Sequence, residues 1–324
     1  MVSLTLKTIK GKEYAYIEKS VRIENKVKKI SQYLGLRKNL DKDKIEIAKK
    51  LFEKEILKNK VKIKIDILKK KIKEFEYPLN LEEIEKIEGM NFRYKEIIKN
   101  LHRKNLEDLN KRFIANYVFE SNALEGNSLT LKNVAEIVFE NRISNGKDLR
   151  EVYDAQNSYK AFLFLQKTRK KITHEFIIKL HSMILDKIDD RKGYRKIPAI
   201  IIGKPGTKLT KPEYIYREMS NLIKWYKNNE NSIYPLELAF KFHAKFEKIH
   251  PFADGNGRVG RFLLNYILIR KGYFPIIIRK TTRDKYMNSL EVADRGNFIV
   301  LIRFALNYYK ETFRKFFEVY YRYI

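Results

Sequence analysis

The hydrophobic positions of this chain recur mainly every three to four residues, the spacing that places them on one face of a helix. A helical pattern begins after Asp41 and runs to Pro78. Aspartate is a preferred residue at the N-cap position of helices. Within this pattern, apolar and polar residues alternate with a period of two over 61–68 (VKIKIDIL), so a strand is an alternative prediction for this segment. Further amphipathic helices are predicted over 80–110, 111–127, 129–141, 149–167, 174–185, 213–229, 236–248, 257–271 and 282–318.

Two short segments depart from the helical spacing. Residues 14–23 alternate apolar and polar side chains, a polar turn follows, and 27–34 suit a return strand, so a β-hairpin is predicted. Residues 194–212 contain an isoleucine-rich run that glycine and proline interrupt, which predicts a second small hairpin. The pattern as a whole predicts a mainly α-helical protein.

The length of 324 residues allows one large domain or two. We predict two parts, a hairpin with a helical arm over 1–110 and a helical domain over 111–324. The chain contains no cysteine, which excludes disulfides, thiolate zinc sites, iron–sulfur clusters and a cysteine nucleophile. No apolar run reaches the ~18 residues of a spanning helix, because Arg270 and Lys271 interrupt 262–278. The N-terminus lacks a secretory signal pattern, so we expect a cytoplasmic protein with no membrane partner.

Positive charge is in clear excess, since 69 Lys and Arg against 40 Asp and Glu give a formal net charge of +29. One interpretation is attraction to a polyanion such as nucleic acid. The other is compositional bias, because the chain is rich in Lys, Ile, Asn and Tyr and the charge is spread along it. We favour the bias. The alternative of a different class is a regulatory module that associates with nucleic acid through a basic N-terminal arm.

The sequence HPFADGNGRVGR over 250–261 combines the groups that phosphate binding needs. A predicted helix ends at Pro251, the polar turn 254–257 (DGNG) follows, and a new helix begins. The bare N–H groups of such a turn, and the dipole of the helix behind it, favour phosphate. Arg258 and Arg261 share a face of that helix and add charge-assisted hydrogen bonds to more than one phosphate.

Two further side chains in this segment supply chemistry. His250 is a titratable base at the mouth of the turn. Asp254 is a lone carboxylate, which suits Mg²⁺ held jointly with phosphate oxygens better than a metal cage built by protein alone. A base, a metal carboxylate, an anion turn and two arginines are the parts needed to transfer a phosphorus group to a hydroxyl.

These residues match the motif H-P-F-x-[D/E]-G-N-[G/K]-R-x-x-R at every specified position, so the chain resembles the Fic family. Upstream, FESNALEGNSLTL (119–131) is similar to the family segment that carries the inhibitory motif [S/T]-x-x-x-E-[G/N]. GYR at 193–195 and the isoleucine-rich run after it resemble the family's flap, and RDKYMNSL (283–290) also fits. The resemblance covers about 112–310. It implies the Fic helical bundle with a small β-hairpin flap over about 194–212.

The resemblance implies protein adenylylation, the transfer of AMP from Mg·ATP to a Tyr, Ser or Thr hydroxyl of a target protein. His250 would be the general base, Asp254 would hold Mg²⁺, and Arg261 would bind the γ-phosphate. The groups implied to bind the other phosphate oxygens are Gly255, Asn256, Gly257 and Arg258. Tyr286 is the candidate wall for adenine. The flap residues implied to pair with the target as an added strand are Ile197, Ile200, Ile201 and Ile202.

The same resemblance implies restraint within the chain. Ser121, Glu125 and Gly126 match the inhibitory motif, on a helix expected over about 112–126. Glu125 would pair with Arg261 and occupy the place of the γ-phosphate. Alternatives within the family are removal of AMP from a protein and transfer of another phosphate-containing group in the same site. A homo-oligomer is a further option among the partners.

Overall fold

The computed structural model describes residues 2–72, 78–199 and 209–321. The chain divides into two compact units, Met1–Lys71 with Asn80–Lys95 and Ile72–Leu79 with Glu96–Ile324. Within the described ranges, every helix is too short or too polar to span a bilayer.

A three-stranded antiparallel sheet begins the first unit. Its strands lie in the order β1 (Ser3–Ile9), β2 (Lys12–Ile23) and β3 (Lys26–Leu36). The β2–β3 hairpin is the one that the alternation predicted, and Ile23 lies opposite Lys26 across its turn. Strand β1 is an addition that the sequence analysis did not predict, although Leu4 and Leu6 alternate with polar neighbours there.

Helix α1 (Lys42–Lys71) packs on this sheet. Asp41 caps it as predicted, because its Oδ1 accepts a hydrogen bond from the N–H three residues on, at 2.7 Å. Residues 61–68 are helical, so the alternative prediction of a strand is wrong. Ile65 and Leu68 are three residues apart, which places them on one face of the helix, and both are buried. The shared core of sheet and helix consists of Ile17, Val21, Ile30, Phe52 and Ile56.

Helices form most of the remaining described chain, and all of those that follow α1 except the first lie wholly in the second unit. The helices after α1 are α2 (Leu81–Asn100), α3 (Arg103–Ala123), α4 (Leu131–Ala135), α5 (Leu149–Lys167), α6 (His174–Ile184), α7 (Ile215–Asn229), α8 (Pro235–Ile249), α9 (Asn256–Arg270), α10 (Arg283–Asp294), α11 (Ile299–Thr312) and α12 (Glu318–Tyr321). Helix α9 is buried on nearly all sides and packs mainly against α8, which places it at the centre of the unit.

Two predicted boundaries differ from the structure. The division between 110 and 111 falls inside α3, whose buried Leu109 packs in the second unit, and the compact units divide at Lys95. The helix predicted over 282–318 is interrupted, because Gly296 adopts φ +92° and ends α10. In the predicted hairpin over 194–212, residues 200–208 lie outside the described residues, and the described flanks are not strands.

Candidate active site

The end of α8 sets the position of His250. Its N–H donates to the Phe246 carbonyl at 3.0 Å, and its backbone is left-handed at φ +51°. Such a conformation costs a non-glycine residue about 1–2 kcal/mol, so neighbouring contacts must hold it. Arg195 provides two of them, because its Nε donates to the His250 carbonyl at 2.8 Å and its N–H donates to the Pro251 carbonyl at 2.9 Å. The predicted base therefore lies on a braced turn.

The loop after His250 is held in place by contacts of Phe252 and Asn256. Phe252 is fully buried, and the His181 ring stacks on it with centroids 3.8 Å apart. Asn256 brackets the loop, since its Oδ1 accepts from the Phe252 N–H at 2.9 Å and its Nδ2 donates to the Phe252 carbonyl at 2.8 Å. The amide of Asn256 thus positions the loop, whereas the resemblance implied a direct phosphate contact for this residue.

Two glycines lie at the N-terminus of α9, one as its N-cap and one in its first turn. Gly255 adopts φ +77°, and a Cβ there would stand 2.7 Å from Leu185. A Cβ at Gly257 would stand 2.3 Å from Glu125 Oε1. No other residue type fits these positions without displacing a neighbour. The first N–H groups of α9 have no acceptor inside the helix, so the turn presents an anion site.

Arg261 brings the predicted regulatory residues together. Its Nη2 pairs with Glu125 Oε1 at 2.7 Å. Its Nε donates to Ser121 Oγ at 3.1 Å, and its Nη2 donates to the Ser121 carbonyl at 2.7 Å. Burial opposes ionisation of Glu125, but the charge and hydrogen bond of Arg261, together with the charges of Arg258 and Arg283, outweigh it and lower the pKa of Glu125. The guanidinium predicted to bind the γ-phosphate is therefore occupied by a carboxylate of the same chain.

Glu125 lies in a turn after α3 and not on the helix expected over 112–126. Its N–H donates to the Asn122 carbonyl at 3.0 Å, and Gly126 follows at φ +98°. Asn127 completes the turn by donating its N–H to the same Asn122 carbonyl at 3.2 Å. Gly126 is thus needed for a left-handed turn that presents Glu125 to α9.

Arg258 and Asp254 have partners that sequence reasoning missed. Arg258 Nη1 bonds Asp154, and its Nη2 lies 3.7 Å from Asp254 Oδ2. Arg150 Nη2 reaches the same Asp254 oxygen at 2.6 Å. Arg150 and Asp154 share α5, where four-residue spacing in an ordinary amphipathic pattern was the only signal that could have linked them.

A cavity of about 740 Å³ joins these groups. The predicted residues that line it are Glu125, Gly126, His250, Asp254, Gly255, Asn256, Gly257, Arg258, Arg261 and Tyr286. Burial lowers the pKa of His250, although the facing main-chain carbonyl of Glu247 opposes the change. The imidazole is therefore neutral near pH 7 and able to accept a proton.

Tyr286 borders the cavity, whereas Ile197 of the predicted flap does not. Tyr286 is 2% exposed, its hydroxyl lies 2.5 Å from His243 Nε2, and its ring stacks with Phe304. It borders the cavity from a packed position. Ile197 is exposed and does not line the cavity, and its carbonyl accepts from Arg195 Nη1 at 2.9 Å. The predicted flap residues outside the described ranges are Ile200, Ile201 and Ile202.

Known proteins share both the sequence and the fold of this region. Residues 171–268 match the family model described as the Fic/DOC family. Protein adenylyltransferase fic-1 of Caenorhabditis briggsae is 30% identical over 208 residues, which are 62% of this chain and 40% of that protein. Its namesake in Caenorhabditis elegans is 29% identical over 207 residues, again 62% and 40%. The chain thus spans about 40% of the length of these curated relatives.

Two solved structures have the same fold. A Fic domain containing signalling protein from Bacteroides thetaiotaomicron aligns with a TM-score of 0.65 and 24% identity, over 70% of this chain and 95% of that chain. Fic-1 of Caenorhabditis elegans aligns with a TM-score of 0.62 and 26% identity, over 71% of this chain and 69% of that chain.

Proposed function

From the premise that residues 171–268 form a Fic/DOC family domain, we propose that this chain is a protein adenylyltransferase that transfers AMP from Mg·ATP to a hydroxyl of a target protein. The supporting observation is that His250, the 254–257 turn, Arg258 and Arg261 line one cavity of about 740 Å³. Ligand sites in proteins commonly have volumes of ~300–1,000 Å³, which accommodates a nucleotide.

His250 supplies the base in this proposal. The target hydroxyl oxygen attacks the α-phosphorus of ATP, the bond from that phosphorus to the oxygen bridging to the β-phosphate breaks, and pyrophosphate leaves. The hydroxyl proton passes to the His250 imidazole, which burial keeps neutral. The braced left-handed turn fixes the ring at the mouth of the anion site, so proton acceptor and phosphate turn keep one geometry.

The α9 N-terminus and the two arginines bind the phosphate chain. Positive charge already aimed at the site stabilises the developing charge without reorganisation. Arg258 and Arg261 are held by Asp154 and Glu125, so phosphate oxygens would exchange with carboxylate oxygens at both guanidinium groups.

Asp254 fits a magnesium ion that arrives with the nucleotide. Within the described ranges, no group of three or more His, Cys, Asp or Glu is placed to hold a metal ion by itself. Asp254 lines the cavity as a single carboxylate, which suits Mg²⁺ with phosphate oxygens as its other ligands. The ion would neutralise phosphate charge when bound. Arg150 would give up its contact with Asp254 Oδ2 in that state.

Glu125 restrains the reaction in this proposal. Its carboxylate holds Arg261 at 2.7 Å and places negative charge where the γ-phosphate is expected. ATP bound around this pair would be misplaced, and a displacement of about 1 Å can cost ~10²-fold in rate. The restraint is intramolecular, and Ser121 supports it by fixing the same guanidinium group.

Isotope labelling tests the reaction. The Glu125→Gly chain is incubated in lysate with ATP labelled at the α- or the γ-phosphate. Label retained on protein only from the α-phosphate supports AMP transfer, and mass spectrometry identifies the acceptor residue. Retention of γ-label would indicate transfer of another group, and release of AMP from labelled protein would indicate the reverse activity. His250→Ala is the control.

The other partners and the location stay predictions. Target pairing with the flap is implied by the resemblance, a cytoplasmic location is expected from the sequence, and a homo-oligomer is an option that the sequence leaves open. For nucleic acid, a salt-dependent shift of DNA that survives His250→Ala but disappears on deletion of 1–110 would favour binding by the N-terminal arm.

A further inference from the structure

Arg195 lies near the start of the predicted flap, 194–212, and close to the loop that carries the proposed base. The residue before it, Tyr194, packs its ring against the buried Phe252 with centroids 5.4 Å apart. Arg195 itself is 5% exposed, and arginine is rarely buried without partners for its guanidinium group. The partners of this side chain therefore decide what it does.

All three guanidinium nitrogens of Arg195 donate to main-chain carbonyls. Nε donates to the His250 carbonyl at 2.8 Å, Nη1 to the Ile197 carbonyl at 2.9 Å and Nη2 to the Thr210 carbonyl at 2.6 Å. The main-chain N–H of Arg195 donates to the Pro251 carbonyl at 2.9 Å. One residue thus joins the turn that carries His250 to a point near each end of the predicted flap.

These hydrogen bonds constrain the turn and the flap together. The guanidinium group is planar and its N–H groups point in fixed directions, so it satisfies three carbonyls only when they keep one relative arrangement. Hydrogen bonds from a charged donor are also stronger than those between neutral groups. A displacement of the flap at Ile197 or Thr210 would therefore disturb the hydrogen bond that Arg195 donates to His250.

The phosphate turn 254–257 has contacts of its own. The amide of Asn256 brackets Phe252 with two hydrogen bonds, at 2.9 Å and 2.8 Å. Neither of these hydrogen bonds involves Arg195. Loss of the Arg195 side chain should therefore change the position of His250 and leave the proposed site for the phosphates of ATP in place.

We infer that Arg195 is a positioning residue that holds the His250 turn and the two bonded carbonyls of the flap in one arrangement, so that the base and a target hydroxyl meet in a fixed geometry. Arg195 acts through main-chain carbonyls and not on the reacting atoms. The inference rests on the proposed function, because it takes a protein hydroxyl as the acceptor of AMP. Its consequence is kinetic, since a base accepts the proton only within hydrogen-bond reach of the hydroxyl.

Initial rates of AMP transfer test the inference in the Glu125→Gly chain, with α-labelled ATP and with lysate as the source of target. Arg195→Met removes all three donors and should lower the maximal rate by ~10²-fold, because misplacement by about 1 Å can cost that much. The KM and the Kd for ATP should stay unchanged. Arg191→Met is the matched control, because Arg191 is an exposed arginine of the same segment that pairs with Asp189, and it should keep all three values.

Amide hydrogen exchange of the same chains without ATP is a readout that needs no reaction. The N–H groups of His250 and Tyr214 are each hydrogen-bonded at 3.0 Å, the first in the turn and the second just after Thr210. Arg195→Met should accelerate exchange at both N–H groups, because one side chain holds both segments. The Thr168 N–H, which is hydrogen-bonded at 2.9 Å at the end of α5, should exchange at an unchanged rate.

The outcomes separate this inference from the proposed function. Faster exchange at His250 without a change at Tyr214 would confine Arg195 to the turn and overturn the inference. A higher KM for ATP with an unchanged maximal rate would overturn it as well. Absence of AMP transfer by the Glu125→Gly chain would instead overturn the proposed function, and the exchange rates would still decide whether Arg195 couples the two segments.

A second variant keeps the test decisive if thermal melting shows that Arg195→Met is unfolded. Arg195→Lys keeps the positive charge but replaces the planar fork by a single ammonium group. It should show a smaller loss of maximal rate with the same unchanged KM for ATP, and it should accelerate exchange at the same two N–H groups. A maximal rate and exchange rates equal to those of the parent chain would overturn the inference.

Discussion

Two acids, one in each compact unit, have opposite surroundings. Glu18 on β2 is 5% exposed, and its carboxylate receives hydrogen bonds from Thr5 and Ser31 and pairs with Lys29 Nζ at 2.6 Å. These donors, Lys29 above all, lower the pKa of Glu18 to about 2. Glu247 on α8 has no donor for its Oε1, and burial raises its pKa to about 8.

The contrast distinguishes a carboxyl group whose hydrogen bonds the fold supplies from one that has an oxygen without a donor among the described residues. Ser31 lies directly opposite Glu18 on β3, so sheet register supplies a donor from within the protein. Among the described residues, no donor reaches Glu247 Oε1. Glu125 is intermediate, because its partner Arg261 is also a proposed phosphate ligand and the pair can exchange.

The largest expected effect separates the two units by activity. His250→Ala removes the proposed base and should lower AMP transfer by ~10²–10⁴-fold in initial rates with α-labelled ATP. Glu18→Gln should leave the rate unchanged, because Glu18 lies in the other compact unit. A similar loss of AMP transfer in both variants would contradict the assignment of the reaction to the unit that contains His250.

A smaller change in the opposite direction is expected from Glu125→Gly. Freeing Arg261 for the γ-phosphate should raise transfer by up to ~10²-fold in the same assay. The matched control is Glu120→Gln, a buried acid five residues upstream that accepts from the Lys280 N–H at 2.8 Å. Its rate should equal that of the unmodified chain, and equal rates for all three chains would count against restraint by Glu125.

The pH dependence of stability should reveal the unpartnered acid. The pKa of Glu247 rises from 4.5 to about 8 on folding, so its contribution to stability is full below pH 4.5 and is lost as the pH rises through 8. The charged groups that act on it are Arg261, Glu125 and Asp294. Between pH 5 and pH 9, the unmodified chain should lose a few degrees of Tm relative to Glu247→Gln.

The transition to follow in that experiment is the one that added nucleotide shifts, because it reports the unit that contains the candidate active site. Parallel Tm curves for the two chains over this range would show that Glu247 does not titrate as its surroundings require.

The smallest effect, of opposite sign, is expected in the sheet. The pKa of Glu18 falls from 4.5 to about 2 on folding, so its stabilisation is present above pH 4.5 and is lost as the pH falls towards 2. Hydrogen exchange of β2 and β3 peptides should be faster in Glu18→Gln than in the unmodified chain at pH 6. The two chains should converge near pH 2, and a difference that grows with acid would contradict the assignment. The effect is modest because Lys29 is about half-exposed.

The features that were predictable depend on neighbours in sequence. The Asp41 cap, the β2–β3 hairpin and the 254–257 turn each arise within a few residues, so composition and spacing are enough. The grouping of His250, the turn and the arginines around one cavity follows from the same contiguous segment. The isoleucine-rich flap stays a prediction, because Ile200, Ile201 and Ile202 lie outside the described residues.

The amino-acid sequence by itself determined the segment proposed to bind phosphate, its likeness to Fic proteins and the mainly helical fold, because short-range geometry encodes all three. Only the tertiary structure decided which charges meet. Arg150 and Asp154 reach the turn from 104 residues away, and Glu247 faces Gly260 across two packed helices. Such pairings depend on how the helices pack against one another. The spacing of apolar residues along one helix predicts which of its faces is buried, but not which side chains of another helix that face will contact.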